Sequence, residues 1–76
     1  MRYYFHIRNG EEVICDPEGS QCATVAEAIL EAKAHARELM AERLKSGREV
    51  DGQSFEIVDE TGLLAATVRF KDVLSS

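Results

Sequence analysis

"RYYFHIRNG", residues 2–10, carries the reading on which the fold turns. Every second residue inward from Arg2 is large and apolar: Tyr3, Phe5 and Ile7. Arg2, Tyr4, His6 and Arg8 stand between them. A period of two with aromatic and branched residues marks a half-buried β-strand. Asn9 and Gly10 then give the strongest short hairpin signal, because a type I′ turn needs positive φ at both central residues. Residues 11–15 read as the returning strand. Asp16, Pro17, Glu18 and Gly19 close it, with proline fixing φ at the second turn position and glycine free at the fourth.

Downstream, "TVAE" at 24–27 has the capping-box form of threonine, two residues and glutamate. Alanine, leucine, glutamate, lysine and arginine dominate from Val25 to Lys45, and Gly47 stands where a C-cap glycine belongs. This predicts a helix of ~21 residues, ~32 Å long. At 100° per residue Val25, Ala28, Ile29, Ala32, Ala36 and Met40 form one stripe, joined by Leu39. Its centre is small, so the helix is expected to lie close against its neighbour. Glu27, Glu31, Glu38 and Glu42 read as a solvated face on the opposite side. Leu30, Ala34 and Ala41 form a weak second apolar strip.

A polar connector over 46–53 leads to a third strand over 54–59, with Phe55 and Ile57 pointing one way. "DETG", 59–62, reads as a type I turn followed by a left-handed glycine. Leu64, Ala66, Val68 and Phe70 alternate along a fourth strand, and "KDVLSS" adds one short turn. The pattern is ββαββ: an α+β domain over residues 1–76, with a four-stranded antiparallel sheet and one long helix packed on one face. Strand order stays open, one candidate being a grasp-like order with the first and last strands central.

Composition narrows the functions. The chain has 76 residues, 45% hydrophobic and 30% charged, which suits one small globular domain. A chain this short buries only ~60% of its unfolded surface, so its core is marginal without a staple or a second subunit. Fourteen acidic against nine basic residues give a net charge of −5, which disfavours phosphate backbones. No run approaches the ~20 apolar residues of a membrane span, and no signal-peptide core opens the chain. The expectation is a cytoplasmic protein with no membrane partner. Cys15 and Cys22 lack the close spacing of zinc ligands and read as reduced, partly buried thiols. No metal or other cofactor is expected.

If Tyr3, Phe5 and Ile7 face the helix, then Arg2, Tyr4, His6 and Arg8 line the open face of the sheet. Antiparallel sheets tolerate one wet side, so the alternation alone needs no function. Those four residues are nonetheless the candidate binding site. Two uses compete: pairing with a second copy through an uncovered face or free edge strand, and nucleic-acid binding by Tyr4 and His6 stacking bases while Arg2 and Arg8 hold phosphates. There is no glycine-rich phosphate loop, nucleophile elbow or metal-binding helix motif, so no enzyme is expected. His35, at the edge of the apolar stripe, reads as a boundary histidine.

The blocks "RYYFHIRNGEEVICDPEG", "TVAEAILEA", "FEIVDETG" and "VRF" resemble a family of small uncharacterised proteins common in rhizobia and related Proteobacteria. Tyr4, Phe5, His6, Arg8 and Gly10 match the opening motif of that family, and Asn9 takes a place often held by aspartate. The resemblance carries no activity over. It leaves His6 and Arg8 as the matched residues without a plain structural explanation. A shorter likeness, near "EAILEA", is to HicB-type antitoxin domains, which would imply a protein-binding regulator. The function expected from the sequence is a self-associating interaction module, with a nucleic-acid-binding or antitoxin-like regulator as the alternative.

Overall fold

The computed structural model describes residues 1–47 and 52–74, without the side chains of Leu44 and Leu74. The middle of the connector read over 46–53 and the end of the "KDVLSS" tail therefore lie outside the described residues. In chain order the elements are β1 (Arg2–Asn9), β2 (Glu12–Ile14), β3 (Ser20–Gln21), α1 (Val25–Lys45), β4 (Gln53–Asp59), β5 (Leu64–Arg69) and α2 (Phe70–Leu74). They form an antiparallel sheet with the order β2-β1-β4-β5, and β3 also pairs with β1. The α+β class, the long helix and the two hairpins agree with the sequence. The sheet has five strands rather than four, because the two residues of β3 take the start of β1 while β2 takes its end.

The grasp-like order does not form. β1 lies beside β4 over seven residue pairs, Tyr3–Asp59 to Asn9–Gln53, and β5 is outermost. The physical reason is burial: Gln53, Phe55 and Ile57 of β4 are all buried, whereas β5 begins with exposed Leu64 and Ala65. The strand of the second hairpin with the bulkier inward residues, Phe55 and Ile57 against Ala66 and Val68, takes the centre.

Two further expectations are corrected here. A β-bulge between Ile57 and Val58 pairs Ile57 with Ala66 but Val58 with Leu64, so Ala65 is the extra residue. That moves Leu64 off the helix side and onto the open face. Phe70 is not the end of a strand but the first residue of α2, and with Ile57 it is one of the two largest fully buried side chains.

The core lies between the sheet and the two helices. Tyr3, Phe5, Phe55, Ile57 and Val68 come from the sheet, Ala28, Ala32, Ala36 and Met40 from α1, and Phe70 and Val73 from α2. The three alanines bring the α1 backbone close to the strands, as the small centre of the apolar stripe predicts. Phe55 joins the aromatics, edge-on to Phe5 at 6.3 Å and tilted against Phe70 at 5.3 Å. Burying Phe70 contributes about 1.5–3 kcal/mol.

α1 has the predicted bounds. Thr24 Oγ1 accepts the Glu27 N–H at 3.1 Å, while Glu27 Oε2 accepts the Ala23 N–H at 2.7 Å, one residue earlier than the capping box uses. Glu27, Glu38 and Glu42 of the glutamate row are exposed, as a solvated face requires. Glu31 is half-buried and accepts from the Cys22 thiol at 3.3 Å, so the row flanks the core on the β3 side. At the other end of α1, Gln53 Oε1 accepts from Arg43 Nη2 at 3.0 Å once its amide is oriented with oxygen toward the guanidinium.

The first hairpin turns one residue later than expected. Asn9 pairs with Glu12, leaving Gly10 and Glu11 as the loop, and only Gly10 has positive φ, at 65°. That is the type II′ requirement, met by a single glycine at the first central position. In the second hairpin Gly62 N–H donates to Asp59 O at 3.0 Å, and Asp59 Oδ1 accepts from the Thr61 and Leu63 N–H groups.

Candidate functional site

The face of the sheet turned away from α1 carries the four residues singled out by the sequence, in one row along β1. Tyr3 and Phe5 are buried under the helices, which leaves Arg2, Tyr4, His6 and Arg8 on the other side. Cross-strand register adds Val13 beside Arg8, Val58 beside Tyr4, Glu56 beside His6 and Leu64 beside Val58. The Tyr4 and His6 rings stack at 6.3 Å with 22° between their planes.

Three of the four residues make polar contacts within the chain. Arg8 Nε meets Glu56 Oε2 at 2.6 Å and Arg8 Nη1 donates to Gly10 O at 3.3 Å. Arg2 Nη1 donates to Glu18 O at 2.8 Å. His6 Nδ1 accepts the Asp16 N–H at 3.0 Å. An imidazole that accepts at Nδ1 carries its proton on Nε2, so this contact fixes the tautomer.

Asp16 explains why β1 tolerates a gap in its partner. Between the end of β2 and the start of β3 no strand faces Phe5, and Asp16 Oδ2 accepts the Phe5 N–H at 3.1 Å instead. Its other oxygen accepts the Glu18 N–H at 3.2 Å, the side-chain turn that Asp favours ahead of proline. Partial burial pushes the Asp16 carboxyl up, but N–H groups of Phe5, Gly19 and Glu18, with His6, outweigh it and leave the pKa below its ordinary value of 3.8. The sequence marked this residue only as the head of a turn; no local signal shows that its side chain fills a place in a ladder eleven residues away.

The arrangement is a sheet face of mixed apolar and charged character. Tyr4, Val13, Val58 and Leu64 give it an apolar band, and its two ends are the charged Arg2 and Arg8. Among the described residues no three His, Cys, Asp or Glu side chains converge as a metal site. Cys15 and Cys22 are free thiols; Cys22 is buried, but Cys15 is exposed rather than partly buried as expected. Burial, then the hydrogen bond and charge of Glu31, raise the Cys22 pKa. His35 is exposed, 3.7 Å from Glu31 and tilted against Phe5.

No helix among the described residues is long and apolar enough to cross a membrane. No curated protein and no solved structure matches the chain. A family model described as a domain of unknown function, DUF6894, matches residues 2–71, from the first residue of β1 into α2. The chain therefore belongs to the DUF6894 family.

Proposed function

We propose that this domain is a small cytoplasmic interaction module that acts by binding rather than catalysis, and that its first partner is a second copy of itself. The observation that carries this reading is β5. It is the outermost strand, and residues 64–68 bear no charge. Leu63 and Leu64 beside the bulge are 68% and 58% exposed. An uncharged edge strand is a template for pairing with another chain, and beyond the bulge residues 66–69 keep a regular register with β4. The opposite edge is blunted: β2 has three residues, begins with Glu12 and is preceded by Glu11. Pairing of two β5 strands joins the sheets and continues the apolar band of Tyr4, Val58 and Leu64 across the junction. The free thiol of exposed Cys15 suits a reducing compartment.

The nucleic-acid alternative draws less support from this geometry, because the arginines that would hold phosphates are engaged by Glu56 and by the Glu18 carbonyl. An antitoxin-like role would use the same face on a different polypeptide.

Amide hydrogen exchange at two protein concentrations tests the reading. Protection of β5 amides that rises with concentration, while β2 amides stay unchanged, supports pairing at β5. Exchange at β5 that is independent of concentration rejects it.

A further inference from the structure

The side of the sheet that faces α1 is not fully covered. α1 packs mainly on β4 and β5, and the edge toward β2 is left open, so Ile14 is 61% exposed. Between that helix flank and the turn over 16–20 lies a cleft of about 360 Å³. Phe5, Ile7, Phe55 and Leu39 give it an apolar lining. Asp16 and Glu18 stand on the turn side and Glu38 and Glu42 on the helix side. Its volume falls within the range of small-molecule sites, which are mostly apolar with a few placed polar groups.

The charge of the lining has one sign. Neither lysine nor arginine lines the cleft, and its one basic residue, His35, lies against Glu31. Among the described residues Glu18, Glu38 and Glu42 form no ion pair. The carboxylates are spread around the mouth and do not converge on a point. An organic cation fits such a mouth better than a metal ion does, because its charge sits at one end of an apolar body.

We propose that this cleft binds a small amine with an aromatic or alkyl body, the body lying on Phe5, Ile7 and Phe55 and the ammonium facing Glu38, Glu42 and Glu18. The charge complementarity is that of an acidic rim around an apolar floor. Gly19 lets the turn approach β1 closely enough to form the outer wall: a Cβ there would lie 2.8 Å from Tyr3 O. The site is on the opposite side of the sheet from the Arg2–Arg8 row and does not depend on self-association.

Three indole compounds with similar bodies and different charge test it: tryptamine, neutral tryptophol and anionic indole-3-acetate, each titrated into the full-length ¹⁵N-labelled protein. Saturable shifts for tryptamine at residues 16–20 and 35–42, with affinity about tenfold above tryptophol and no binding of indole-3-acetate, are expected. Glu38→Gln with Glu42→Gln should weaken tryptamine about threefold to tenfold while leaving the remaining spectrum in place. Equal binding of tryptamine and tryptophol overturns the proposal. So does the lack of any tryptamine shift at about 5 mM, or shifts confined to other residues.

Discussion

The backbone N–H of Asp16 donates to His6 Nδ1 at 3.0 Å, while the Asp16 carboxylate accepts the N–H of Phe5, the residue before that histidine. One turn residue thus grips two consecutive positions of β1, one through its backbone and the other through its side chain. It substitutes for a missing stretch of strand. Asp16→Ala leaves the Phe5 N–H without this acceptor and should cost about 1–2 kcal/mol in urea unfolding. The long-range ¹⁵N spectrum of His6 should show the proton on Nε2 in the neutral ring.

The same residue sets a pH dependence. Its folded pKa lies below the ordinary 3.8, so the stabilisation is fully present above the unfolded value and is lost as pH falls through the folded one. Asp59 acts in the same direction, with the Thr61 hydroxyl the largest cause and N–H groups of the hairpin adding to it against an opposing effect of burial. The stability gap between the natural chain and Asp16→Ala should be constant from about pH 5 to 7 and shrink below about pH 4. Urea midpoints across that range measure it.

Two glycine substitutions should differ. Gly10 and Gly19 both have positive φ, 65° and 71°. A Cβ at Gly10 meets nothing within 4 Å, whereas one at Gly19 meets backbone oxygen of Tyr3 at 2.8 Å. Gly10→Ala should cost about 1 kcal/mol from the backbone conformation alone. Gly19→Ala adds a clash that flexible side chains do not relieve and should cost at least ~2 kcal/mol. Equal midpoints for the two variants would contradict this account.

Phe70→Ala removes a fully buried ring that packs on Phe55 at 5.3 Å. Such truncations cost about 3–5 kcal/mol. A domain of 76 residues has a total stability of roughly 4–11 kcal/mol. The variant should lose roughly a quarter or more of that stability, read as a large drop in thermal midpoint.

What was legible in the sequence was local. The alternation from Arg2 to Arg8, the 25–45 helix with its cap, and the Asp59 hairpin all depend on residues within a few positions of one another. What was not legible depends on pairing between distant segments. β3 exists because Ser20 and Gln21 meet Tyr3 and Arg2, and Leu64 changes face because of a bulge opposite Ile57 and Val58. Neither is announced by nearby residues. The candidate row Arg2, Tyr4, His6 and Arg8 was found from its period, but its internal contacts to Glu56, Glu18 and Asp16 were not, since they bridge 10 to 48 positions. Glu38 and Glu42 are exposed as their helical spacing predicts, but spacing does not show that the 16–20 turn stands opposite them.

The two thiols should separate chemically. Cys15 is exposed, and Cys22 is buried with its pKa raised by burial and by Glu31. The thiolate is the reactive form, so iodoacetamide should modify Cys15 first and reach Cys22 at a comparable rate only after unfolding. Peptide mass spectrometry over a time course reads both rates.

The solution mass of the purified chain, by light scattering behind size exclusion, decides whether two copies pair. The chain mass is 8.5 kDa. Self-association through β5 predicts about twice that at about 100 µM, and a fall to the single-chain mass for Thr67→Lys, which sets a charge on the edge. A natural chain that stays at 8.5 kDa under those conditions, or a Thr67→Lys variant that keeps the doubled mass, would contradict it.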